Sequence, residues 1–155
     1  MKKLIIGIDP GKKGGVAVLT VTSAAITPTV SPMPQIYKTL FNMLKDIGDL
    51  HYDSIHAYLE DVQYRSNQRG VKTALTNWGR IQGYLEALGI PYTVVSAMKW
   101  KKHMGLSQDK IESINLANQI YGLEFTKTQD GLAEALLIAH HGVVQNVSKT
   151  TNRDR

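Results

Sequence analysis

Two short apolar runs in this chain each stop at a carboxylate. Residues 3–9 read Lys-Leu-Ile-Ile-Gly-Ile-Asp and residues 54–60 read Ser-Ile-His-Ala-Tyr-Leu-Glu. Runs of this length read as buried strands, and the first is rich in β-branched isoleucine. After Asp9 comes Pro10-Gly11-Lys12-Lys13-Gly14-Gly15, a turn whose glycines are expected to supply positive φ. Residues 16–21 then form a return strand, and residues 25–30 a third, expected to end before Pro32 and Pro34. A buried strand ends where its sheet meets solvent, and open α/β sheets usually carry their sites at strand ends. If the two runs are neighbours in one sheet, Asp9 and Glu60 come together.

Beyond the opening meander, helices and strands alternate. Ile36, Leu40, Met43, Leu44 and Ile47 fall on one face of a helix within 35–50. Residues 64–68 are polar and loop-like, and a helical pattern runs over 69–88 until Gly89 stops it. A strand at 92–95 leads into a short basic helix around Met98-Lys99-Trp100-Lys101-Lys102. Further helices are expected over 109–121, ended by Gly122, and from about 129 to 145. This order predicts an α/β domain, a mixed sheet of three antiparallel strands followed by parallel ones, flanked by helices. The order resembles the ribonuclease H fold. One domain over 1–147 is expected, with 148–155 as a polar, frayed tail.

Asp130 and Glu134 stand four apart on the last expected helix, so they share a face about one turn apart. A lone acid at a strand end is ordinarily a solvated terminus, and Asp130 has the chemistry of an N-cap. Glu134 is harder to explain away, because it interrupts the apolar segment Leu132-Ala133 and Ala135-Leu136-Leu137-Ile138-Ala139, where an uncompensated charge is costly. If that helix face looks at the strand ends, four carboxylates converge. They would repel one another and need counter-cations to remain ionised. Magnesium prefers such hard oxygen ligands and borrows others from phosphates, and manganese suits the same donors. Two such ions support in-line phosphodiester hydrolysis. The chain has no cysteine, which excludes thiolate metal sites and thiol nucleophiles.

The net charge of +5 is concentrated in the middle third, where Arg65, Arg69, Lys72, Arg80, Lys99, Lys101, Lys102 and Lys110 face only Asp61, Glu86 and Asp109. Such a bias suits a polyanion, so Arg65, Arg69, Lys72, Lys101, Lys102 and Lys110 are candidate DNA contacts; a solvated basic face is the alternative for each. Trp100 reads as a packing anchor, and the adjacent His140 and His141 as part of an exposed helix end. On the helix over 69–88, Val71, Leu75 and Trp78 offer apolar area while Gly79 and Gly83 permit close helix approach, within the monomer or across a dimer. No segment reaches the roughly 20 apolar residues of a membrane helix, and the start of the chain does not read as a signal peptide, so a cytoplasmic setting is expected.

The segments Ile5-Ile6-Gly7-Ile8-Asp9-Pro10-Gly11, Leu59-Glu60 and Asp130-Gly131-Leu132-Ala133-Glu134 resemble, in order and spacing, the three acidic motifs of RuvC-type Holliday junction resolvases, most closely the short bacteriophage members. The resemblance implies a ribonuclease H-like fold and two Mg2+ ions held by Asp9, Glu60, Asp130 and Glu134. It also implies a homodimer that cuts four-way junctions and related branched DNA, such as three-way junctions and forks, in the host cytoplasm if phage-encoded, with no small-molecule substrate. Bacterial members carry two aspartates three apart in the last motif, where this chain has an Asp and a Glu four apart. They also place an aromatic wedge after the second acid, where this chain offers Tyr64. Another ribonuclease H-fold nuclease acting on RNA–DNA hybrids or flaps, and a non-catalytic branched-DNA-binding module, are the alternatives. The acid quartet argues against the latter. The glycine-rich turn also resembles the phosphate loop of actin-like kinases, but those need a second lobe for which 155 residues leave no room.

Overall fold

The structure, a computed structural model, describes residues 1–63 and 70–151, the last five of these by their backbone alone. Strands β1 (Lys3–Asp9), β2 (Gly15–Val21), β3 (Ile26–Pro32), β4 (Ser54–Glu60) and β5 (Tyr92–Val95) form one sheet in the order β3-β2-β1-β4-β5. The first three pair antiparallel, whereas β1–β4 and β4–β5 are parallel. This is the mixed sheet that the sequence predicts. β3 runs through Pro28 to Pro32 instead of ending before the second proline. As an edge strand it can carry residues without an N–H, because one side of its ladder is unpaired.

Helices α1 (Tyr37–Gly48) and α2 (Val71–Ala87) cover one face of the sheet, and α3 (Ala97–His103), α4 (Lys110–Tyr121) and α5 (Asp130–Thr151) the other. Alternation along β1 divides its side chains between two cores. Leu4, Ile6 and Ile8 pack with Leu40, Leu44, Ile81 and Leu85, while Ile5 packs with Ala135, Leu136 and Ala139 of α5. α5 lies directly on β1 at Gly7. A Cβ there would stand 2.1 Å from the Ala135 carbonyl oxygen and 2.4 Å from the Ala139 nitrogen, so only glycine lets helix and strand backbones approach so closely.

The helix ends follow from local chemistry. Ser96 Oγ accepts from Lys99 N to start α3, and Asp109 Oδ1 accepts from Ile111 N to start α4. Gly122, at φ 63°, ends α4 in the left-handed region. α5 continues past residue 145, where the apolar periodicity fades, to Thr151.

Candidate active site

Tyr58 of β4 shares the core of Ile5 and α5, and Ile8 of β1 is in register with Leu59 of β4. Period-two alternation therefore turns both Asp9 and Glu60 toward the α5 side, at the same end of adjacent parallel strands. Asp130 opens α5 and Glu134 follows one turn later, so the docking of α5 on β1 brings all four acids into one electrostatic cluster. Burial is the largest influence on Asp9 and raises its pKa to about 6, helped by Glu134 and Asp130 and opposed by the Gly11 N–H, which donates to Oδ1 at 3.0 Å, and by Lys110. Burial likewise lifts Glu60 to about 7, with Asp9 and Glu134 adding to it and Trp100 and Lys101 pulling the other way.

Two lysines already stand among these acids. Lys101 Nζ lies 2.7 Å from Glu134 Oε1, both residues being buried. The approach is off the hydrogen-bond direction and leaves that buried oxygen with an unused acceptor. Lys110 Nζ pairs with Asp130 Oδ2 at the solvent side. The charge pattern assigns Lys101 to a face open to phosphate. The structure instead buries it at 5% exposure, because α3 docks through fully buried Trp100 and the neighbouring position turns inward. Lys102 and Lys72 are exposed, whereas Tyr64, Arg65 and Arg69 lie outside the described residues.

Sequence reasoning takes Trp100 only as a packing anchor and misses its second role. Its Nε1–H donates to Glu60 Oε1 at 2.9 Å. Glu60 pairs in register with Val95, the residue before the Ser96 cap, so α3 necessarily starts beside that carboxylate. Asn77 is also missed: its Nδ2 donates to the Pro10 carbonyl at 2.7 Å and ties α2 to the loop after Asp9. In that loop the glycines do not supply positive φ, which occurs at Gly70, Gly89, Gly105 and Gly122. Gly14 is needed because a Cβ would stand 2.1 Å from the Asp9 carbonyl oxygen. His140 and His141 are not at an exposed end either; His141 is buried, and His140 Nδ1 shares a 2.7 Å hydrogen bond with the Tyr121 hydroxyl.

A cleft of about 300 Å3 opens at the two strand ends, lined by Asp9, Gly11, Glu60, Gln63, Gly70 and Val71 among others. Among the described residues no group of three or more His, Asp or Glu side chains is disposed to hold a metal ion, and the lysines engage Glu134 and Asp130 instead. The donor set nonetheless fits a hard divalent cation. It consists of carboxylate oxygens, one of them buried and unsatisfied, and four carboxylates against two ammonium groups leave an excess of negative charge when all are ionised. On α2, Val71, Leu75 and Trp78 are half-buried, Trp78 packing on the core, while Gly79 and Gly83 are exposed with nothing within 4 Å of an added Cβ.

The raised acids make a pH prediction. The folded state holds protons on Asp9 and Glu60 up to about 6 and about 7, whereas their ordinary values are 3.8 and 4.5. Across that window the folded chain binds more protons than the unfolded one, so these two groups make stability fall as pH rises. Thermal denaturation in EDTA should show that fall, and Trp100→Phe, which removes a hydrogen bond to the ionised Glu60, should extend it to higher pH. An unchanged profile in the variant would remove Trp100 from the site.

No family model matches the chain, and no curated protein matches it in sequence. Its fold does match solved structures. One is T. thermophilus RuvC in complex with Holliday junction substrate, at a TM-score of 0.61 and 19% identity, covering 90% of this chain and 92% of that one. Another is the Thermus thermophilus RuvC structure, at 0.57 and 15%, covering 92% and 96%. Over nearly its whole length, then, the chain has a RuvC-type, ribonuclease H-like fold.

Proposed function

We propose that this chain is a magnesium-dependent endonuclease that cuts Holliday junctions and related branched DNA as a homodimer. The observation that carries the reading is the convergence of Asp9, Glu60, Asp130 and Glu134 at one end of the sheet, beside an open cleft. Likeness of fold to a protein solved with a Holliday junction substrate supports the choice of DNA. Asp9, Glu60, Asp130 and Glu134 would hold the metal, the first two from the wall of the cleft. A bound divalent ion supplies positive charge against the scissile phosphate and makes water a better nucleophile; manganese suits the same oxygens.

The protein's own groups orient that chemistry. Gly11 N–H and Trp100 Nε1–H each fix one oxygen of a ligand carboxylate, as supporting hydrogen bonds do in metal sites. Lys101 pairs with Glu134 inside the core, at the foot of the cluster. Lys110, largely exposed, stands where it can meet a phosphate as well as Asp130. Lys72 and Lys102 are free to track the DNA backbone.

Two nicks on strands of like polarity call for two identical sites about one axis. The exposed Gly79 and Gly83 stripe of α2, flanked by Val71, Leu75 and Trp78, gives a second α2 room to approach. A supercoiled plasmid that extrudes a cruciform tests this. With Mg2+ the wild type should linearise it in one binding event, and Gly83→Trp should yield nicked circles instead. Nicked circles from the wild type would rule out the coupled dimer, and an uncut plasmid would rule out the nuclease.

A further inference from the structure

The acid cleft has a neighbour. A second cavity, of about 400 Å3, lies on the other side of the loop after Asp9 and shares Pro10, Gly70 and Ala74 with the first. Its walls include Met33, Pro34, Tyr37 and Thr73, and Lys12 stands at it exposed. It is held open by hydrogen bonds that fix the loop from two sides. Gln35 Nε2 donates to the Lys12 and Met33 carbonyls at 3.0 and 2.9 Å, and Asn77 Nδ2 donates to the Pro10 carbonyl.

Tyr37 remains 41% exposed, yet it is not loose. The Arg80 guanidinium lies 3.4 Å from its ring centroid, a cation–π contact that immobilises the ring and covers one face. One Arg80 nitrogen, Nη1, is buried without a hydrogen bond, so among the described residues its placement answers to the ring rather than to an acid. A fixed aromatic ring, apolar walls and a cation are the set that holds a single unstacked nucleotide, with its base on the ring and its phosphate by the ammonium. The size suits one nucleotide.

We propose that this cavity takes one unstacked nucleotide of the strand being cut, next to the phosphate that enters the acid cleft, and so helps to set where along the strand the cut falls. The identity of the strand rests on the nuclease reading; the pocket's chemistry for a nucleotide does not.

The test uses the full chain with Ca2+ in place of Mg2+, a single-stranded hexanucleotide and a four-way junction. Each carries 2-aminopurine at successive positions, whose fluorescence reports stacking. Wild type should change the signal at one junction position and bind the hexanucleotide. Thr73→Phe, which fills the cavity from an exposed helix position, should abolish the positional signal and lower gel-shift affinity for the junction by no more than about tenfold, the worth of the one stack it blocks. Tyr37→Leu should weaken hexanucleotide binding by about tenfold, the worth of one base–aromatic stack. A signal spread evenly over positions, or one that survives in Thr73→Phe, overturns the proposal even if the protein cuts junctions well. Hexanucleotide binding that both variants lose, in a protein that ignores junctions, upholds the pocket and overturns the junction reading.

Discussion

Asp9→Asn should lower junction cleavage on the order of 10³-fold, the scale reached when one preorganised electrostatic group is removed from a reaction centre. Asp9 is the hub of the cluster: its charge interacts with Glu60, Glu134, Asp130 and Lys110. Asparagine keeps the shape and an oxygen that can still accept from Gly11 N–H, so the loop should hold. Junction affinity in Ca2+ should be retained, since the change removes a negative charge that faces phosphate. Stability provides an independent sign. Above pH 6 the wild type carries a buried, repelled charge at Asp9, and the variant does not. In EDTA at pH 8 the variant should therefore melt at a higher temperature than wild type. Single-turnover cleavage and a melting curve check both halves, and a variant cutting within tenfold of wild type would remove Asp9 from the chemistry.

Glu134→Gln should have the largest effect on folding. It leaves the Lys101 ammonium buried at 5% exposure without its counter-charge, and breaking a buried pair from one side costs about 3–5 kcal/mol. Lys101→Met should also destabilise, by taking away the partner of a buried carboxyl group. The double variant Lys101→Met, Glu134→Gln should recover much of the loss, because no unpaired charge remains, yet cleavage should stay as low as in Glu134→Gln alone. Urea denaturation of the four proteins gives the coupling directly. Additive single effects would mean that the two side chains do not act as a pair, and recovered cleavage in the double variant would place Glu134 outside the reaction.

What could be read before the structure was whatever repeats along the chain. The short apolar runs of β1 and β4, each stopping at an acid, pointed to buried strands whose ends could bring Asp9 to Glu60, and the apolar run of α5 made Glu134 conspicuous. The partners of those acids were not legible. α3 is too short for its periodicity to say which lysine faces inward, and only the docking of Trp100 decides that Lys101 is buried while Lys102 is exposed. The Trp100–Glu60 bond depends on the β4–β5 register, and the Asn77–Pro10 bond joins residues 67 apart. Local composition carries no trace of either. Pro32 of β3 misled for the opposite reason: a local rule against proline in strands yields at an edge.

Cleavage of a four-way junction by the wild type, beside a duplex of the same sequence and an RNA–DNA hybrid, in Mg2+ and in EDTA, is the most direct test of the proposal that the acid cluster cuts branched DNA. The expected result is paired cuts near the crossover of the junction in Mg2+, none in EDTA, and neither duplex nor hybrid cut at a comparable rate. Equal cutting of the hybrid, cutting that survives EDTA, or an intact junction bound in Mg2+ would each contradict it.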